Sequence, residues 1–153
     1  GGWMINVASM AGMSGVPYAG AYNATKLAVA GLSEGWSIEL QKDNIQVSIL
    51  CPAFCITRIH RSTRNKQDEY QNKAASPQND LSEKGSSPMA DHMAKVIDAG
   101  LSPEVVGERV LEAIRAKELY IFTHPNYRAV TNARYNAIDQ AFARAEESPL
   151  VSH

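Results

Sequence analysis

The sequence predicts an α/β fold built as part of a doubly wound parallel sheet, on three observations. Short apolar runs rich in β-formers, Trp3–Ala8, Ile45–Cys51 and Leu119–Phe122, alternate with longer segments of helical period. The connections between those runs are too long for hairpins and long enough for helical crossovers, which makes the strands parallel. Finally, Ser9 stands at the carboxyl end of the first run, where open α/β sheets place their ligands.

Composition narrows the function classes. The 153 residues suffice for one domain with a core, and 44% hydrophobic residues suit a folded globular chain. A formal net charge of -1 gives no reason to expect nucleic acid or an anionic membrane as partner. No apolar run approaches the roughly 20 residues of a membrane span, and no leader-like segment precedes the first strand. The two cysteines, Cys51 and Cys55, form no disulfide framework, so a cytoplasmic, reducing location is expected. Their C-x-x-x-C spacing is half of a zinc site, but no matching His or Cys pair follows, and no metal is expected.

In chain order, Trp3–Ala8 reads as a buried parallel strand. Met10–Gly20 reads as loop, because Gly12, Gly15, Pro17 and Gly20 punctuate it. Tyr18 in that loop is either a packing aromatic or a substrate contact. Ala21–Lys42 reads as a helix. Its Ala24, Ala28, Gly31 and Gly35 fall on one narrow stripe, suited to close approach of either another chain or the chain's own sheet. Asp43-Asn44 makes the turn into the strand Ile45–Cys51, and Pro52 ends it. Arg58, Arg61, Arg64 and Lys66 are either a solvated face or a site for an acidic group, and the polar stretch Ala74–Pro88 is expected to be mobile. Met89–Ala99 reads as a short helix ended by Gly100. Ser102-Pro103-Glu104 is a helix start, with Val105, Val106, Val110, Leu111 and Ile114 facing inward. After the strand Leu119–Phe122, Pro125 breaks the chain. A last helix, 126–147, turns Tyr127, Val130, Ala137, Ile138, Ala141 and Phe142 inward. His60, His92, His124 and His153 receive no role.

The chemistry-bearing stretch is Tyr22-Asn23-Ala24-Thr25-Lys26. Residues four apart on a helix share a side, so the Lys26 ammonium lies near the Tyr22 phenol. A free phenol, with a pKa of about 10, is a poor base at neutral pH, and a neighbouring positive charge favours its phenolate. Such a pair exchanges a proton with a substrate oxygen. Taken alone, the spacing equally describes a half-buried Tyr beside a solvated Lys.

Three ordered motifs carry a resemblance. Ile5-Asn6-Val7-Ala8-Ser9 ends in a serine thirteen residues before Tyr22, Y-x-x-x-K follows, and Pro52-Ala53-Phe54-Cys55-Ile56-Thr57 closes the next strand. Together they resemble the short-chain dehydrogenase/reductase family of classical type, strongly from Gly2 to Thr57 and by element order to Ala145. The resemblance implies an NAD(P)-dependent oxidoreductase interconverting a carbonyl and a secondary alcohol. Tyr22 is then the acid/base, Lys26 holds the nicotinamide ribose and Ser9 bonds the substrate oxygen. It further implies that Pro52, Ala53, the Cys55 main chain and the Thr57 hydroxyl border the cofactor, that residues 58–100 form a substrate lid, and that a homo-oligomer forms through the 21–42 helix. Ala53 departs from the family, which has Gly after that Pro. No Gly-rich pyrophosphate loop stands in the sequence, and the resemblance therefore implies only the C-terminal half of the Rossmann-like domain, inactive alone. The rival reading is a non-catalytic member retained for dinucleotide binding or subunit contact.

Overall fold

The computed structural model describes residues 1–59, 65, 67 and 88–151. They fall into two units, 1–53 with 110–153, and 54–109. Arg61, Arg64, Lys66 and all but the last residue of the Ala74–Pro88 stretch lie outside the described residues.

In the first unit three parallel strands pair in the order β1 (Gly2–Val7), β2 (Ile45–Cys51), β3 (Tyr120–Phe122). Gly2 faces Ile45 at one end of the first ladder and Val7 faces Leu50 at the other; Ile49 to Cys51 face Tyr120 to Phe122 in the second. β2 is central, and Val47 to Cys51 are all buried, as a strand covered on both faces requires. The helix α1 (Gly20–Glu39) makes the crossover from β1 to β2. A 3-10 turn, Leu40–Asp43, follows it, and Asn44 reverses the chain at φ 54°, a left-handed position that Asn tolerates. The core joins Ala8, Met10, Met13, Ala30, Ile49 and Cys51. Side-chain bonds tie α1 to the sheet: Asn6 Nδ2 donates to Ser33 Oγ (2.9 Å), the Tyr120 hydroxyl donates to the Glu34 carboxylate, and Lys26 Nζ donates to the Val7 carbonyl (3.1 Å).

Within the second unit, α2 (Pro88–Asp98) buries Ala90, Ala94 and Ile97. The segment after it lies beside Phe54–Ile56, with Leu101 N–H donating to the Phe54 carbonyl (3.0 Å) and Ile56 N–H to the Leu101 carbonyl (2.9 Å). Gly100 is required there, since a Cβ would stand 2.4 Å from the Phe54 carbonyl oxygen. Helix α3 (Pro103–Ala116) starts as the Ser-Pro-Glu signal demands, with Val105 N–H donating to Ser102 Oγ (3.4 Å). Helix α4 (Arg128–Glu146), in the first unit, is the last helix among the described residues.

Four expectations are corrected. The Rossmann-like arrangement of parallel strands and helices is not limited to a C-terminal half. It spans the whole chain, from β1 at its start through β3 to α4, because the three strands pair directly with one another around β2. Met10–Gly20 is not all loop: Met10–Gly12 is a 3-10 turn capped by Ser9. On α3 the buried residue is Ala113, whereas Val105 and Leu111 are exposed. On α4 no described residue is buried, and Phe142 is 68% exposed. An apolar stripe shows that a helix has something to bury, not that its own chain supplies the cover.

Candidate functional site

Ser9 is placed by the end of the β1–β2 ladder. Its neighbours continue the pairing: Ala8 N–H donates to the Leu50 carbonyl (2.8 Å), and Met10 N–H to the Pro52 carbonyl (3.0 Å). Ser9 itself is extended and only 9% exposed. Its Oγ accepts the Ala11 N–H (3.1 Å), capping the 3-10 turn. That bond occupies a lone pair and leaves the hydroxyl proton to be donated elsewhere.

Tyr22 and Lys26 follow on the first turns of α1. The Tyr22 side chain is 44% exposed. The Lys26 ammonium lies 5.7 Å from the Tyr22 ring centroid, within cation–π range, and donates to the Val7 carbonyl (3.1 Å). Lys26 thus reaches from the helix to the strand end two residues before Ser9. Contact also runs the other way: a Cβ on Gly12 would stand 2.7 Å from the Lys26 carbonyl oxygen. The turn after Ser9 packs so closely on α1 that only glycine fits. The Asn23 side chain fixes the intervening loop, donating to the Val16 carbonyl (2.8 Å) and accepting the Val16 N–H (3.3 Å). Tyr18 in that loop is fully exposed with φ 62°. It is no packing aromatic, and it holds a backbone conformation costly for a bulky residue.

The remaining expected residues divide between the units. Pro52 and Ala53 belong with Ser9. Pro52 accepts the Met10 N–H, and Ala53 N–H donates to His124 Nδ1 (3.2 Å). Ala53 is not among the non-glycine residues of positive φ, so the methyl that replaces a glycine is borne without strain. Cys55 and Thr57 belong to the second unit. Cys55 bridges to Leu101, and burial pushes its thiol pKa up. Thr57 Oγ1 accepts the Ile59 N–H (3.4 Å). Burial likewise pushes the Cys51 thiol up to about 11, against a smaller opposing pull from a Ser9 backbone hydrogen bond, so that thiol stays protonated and inert at neutral pH. Among the described residues no group of three His, Cys, Asp or Glu could hold a metal ion, and no helix is long and apolar enough to cross a membrane.

Sequence reasoning passed over His124 and Gly12. The Thr-His-Pro sequence after a β-strand was a usable signal for the first. The close approach of a glycine to a helix carbonyl left none for the second.

Comparison with known proteins places these features in a family context. The short chain dehydrogenase family model matches residues 1–68. The chain is 28% identical over 138 residues to a "CLA biosynthesis dehydrogenase/reductase" of Lactiplantibacillus plantarum, covering 88% of this chain and 47% of that protein. It is 28% identical over 148 residues to a "C alpha-dehydrogenase" of a Sphingobium species, covering 97% of this chain and 46% of that protein. The crystal structure of a short chain dehydrogenase/reductase from Burkholderia phymatum in complex with NAD matches with TM-score 0.79 and 30% identity, over 91% of this chain and 48% of that one. The chain spans about half the length of the curated relatives it matches. The expectation that the resemblance is confined to a C-terminal half is corrected. The family model falls on the N-terminal side of the chain, and the structural likeness covers nearly all of it. The chain is therefore similar, over nearly its whole length, to proteins described as short-chain dehydrogenases/reductases, and its parallel sheet and helices match their Rossmann-type fold.

Proposed function

We propose that the protein is an NAD(P)-dependent oxidoreductase that interconverts a carbonyl and a secondary alcohol, with Ser9, Tyr22 and Lys26 as its catalytic residues. The observation that carries this reading is Lys26. Its ammonium bonds the Val7 carbonyl of the strand that leads to Ser9 while lying against the Tyr22 ring, so one cation links the helix of Tyr22 to the strand of Ser9. The donor set suits a nicotinamide ribose. An ammonium has three N–H donors, and the Val7 carbonyl takes one, leaving two for vicinal hydroxyls.

When bound, the dinucleotide supplies or accepts the hydride. The chain's own residues handle the proton and the charge. The half-exposed Tyr22 hydroxyl gives its proton to the carbonyl oxygen during reduction and recovers it during oxidation. Lys26 keeps a positive charge beside the ring. The Ser9 hydroxyl, its acceptor side held by Ala11 N–H, donates to the same substrate oxygen and stabilises negative charge developing there. Pro52, Ala53, Cys55 and Thr57 border the cofactor in this reading, and the protein assembles through α1; most of the 58–100 lid expected from the sequence lies outside the described residues. NAD and NADP are both compatible with it.

The test is nicotinamide absorbance against a panel of ketones and secondary alcohols. Tyr22→Phe should lower kcat by about 10²–10⁴ while leaving the fold intact by circular dichroism. Activity within a few-fold of wild type would remove Tyr22 from the mechanism. The rival reading is dinucleotide binding without turnover. Cofactor binding by calorimetry with no turnover on any panel member would favour it.

A further inference from the structure

His124 has no part in the chemistry above, yet it stands where the site's backbone is fixed. It follows β3, and its ring meets Tyr127 edge-on at 6.2 Å. Its Nδ1 receives the Ala53 N–H at 3.2 Å and lies 2.7 Å from Thr123 Oγ1. A backbone amide can only donate, so the Ala53 bond requires Nδ1 as its acceptor, with the Thr123 hydroxyl beside it sharing the same lone pair. Ala53 is the residue after Pro52, whose carbonyl takes the Met10 N–H at 3.0 Å, and Met10 is the residue after Ser9. An uninterrupted path of short bonds thus runs from the histidine ring to the peptide that aims Ser9. The β2–β3 ladder ends at the Cys51–Phe122 pair, so beyond Cys51 regular sheet pairing no longer holds this segment. The Ala53–His124 bond takes over at that point.

We infer that His124 is a positioning residue, an imidazole latch that holds the Pro52–Ala53 turn and, through Met10, the orientation of the Ser9 hydroxyl. The inference deepens the proposed function and rests on it for its kinetic consequence, but the latch itself is a statement about hydrogen bonds. His124→Phe keeps a ring and removes the acceptor. His124→Asn keeps an acceptor at nearly the Nδ1 position.

The test has three readouts on the full chain. In the wild-type protein, long-range proton–nitrogen spectra should find the His124 proton on Nε2; a proton on Nδ1 overturns the inference without any variant. In His124→Phe, amide exchange at Ala53 and Met10 should accelerate about ten-fold while amides of β1 and α1 hold their rates, and His124→Asn should restore slow exchange. Unchanged exchange in the Phe variant, or equal acceleration in both variants, overturns it. In turnover, the Phe variant should lose about ten-fold in kcat with a carbonyl KM within two-fold, and Asn should recover most of it. A loss confined to KM overturns the link to Ser9. If the protein shows no turnover at all, the proposed function fails while the spectra and exchange rates still decide the latch.

Discussion

Lys26 meets three parts of the protein at once. Its ammonium donates to the Val7 carbonyl, its charge lies near the Tyr22 ring, and its own carbonyl leaves no room for a Cβ at Gly12. Lys26→Met keeps the aliphatic stem and deletes the charge and its donors, so two effects are expected together. The KM for the dinucleotide should rise about ten-fold as donors to the ribose are lost, and kcat should fall about 10²-fold as Tyr22 loses the neighbouring charge. Steady-state kinetics checks both; a change in KM alone would leave Lys26 a binding residue only. The placement of Ser9 at a strand end and of Tyr22 and Lys26 on the helix after it was readable from the sequence, because apolar runs and helical period mark those two elements. How each is held was not readable. The Ser9 cap on Ala11 N–H and the Val7 carbonyl on Lys26 depend on a 3-10 turn in a stretch whose glycines and proline look like plain loop.

Among the elements, β2 matches its expected bounds because punctuation fixes both ends: left-handed Asn44 before it and Pro52 after it. The cap of α3 was equally plain, and the backbone N–H of Glu104 and then the Ser102 hydroxyl hold the Glu104 carboxyl below its usual range. The inward faces of α3 and α4 were not readable, since helical periodicity marks an apolar side without naming what covers it. The tie between α1 and β3 was also hidden, as Glu34 and Tyr120 are far apart in the chain. Burial, and then the Glu34 carboxylate, push the Tyr120 phenol up, so it stays a donor through the neutral range. Tyr120→Phe removes that donor while preserving the ring that stacks on Phe122 at 6.0 Å. A partly exposed bond of this kind contributes about 1 kcal/mol, and the melting temperature should drop by roughly 2–5 °C in calorimetry. An unchanged melting temperature would mean that water serves Glu34 equally well.

Across the whole molecule, the described residues leave much apolar surface uncovered. β1 pairs only with β2 among them, and Trp3 and Val7 on it are exposed. α4 shows Val130, Ile138 and Phe142 to solvent. On α1 the pattern is the most ordered: Ala30 and Ser33 face the core, while Ala24, Leu27, Ala28, Gly31 and Ile38 are exposed on the opposite side. Among the described residues a Cβ on Gly31 would meet no atom within 4 Å, so at its centre the small-residue stripe is not packed against the chain's own sheet. An exposed stripe of small and apolar side chains suits a second copy of the chain, and Gly31 stands at its centre. Gly31→Arg tests this without harming the monomer. The helix gains about 1 kcal/mol of propensity from replacing glycine, and open space receives the side chain. Light scattering on a sizing column should then find an oligomer for the wild type and a monomer for Gly31→Arg, whose circular dichroism is unchanged and whose melting temperature at low concentration is equal or higher. Two equal oligomers would place the assembly on another face, with the exposed side of α4 the next to substitute, and two monomers would refute the assembly.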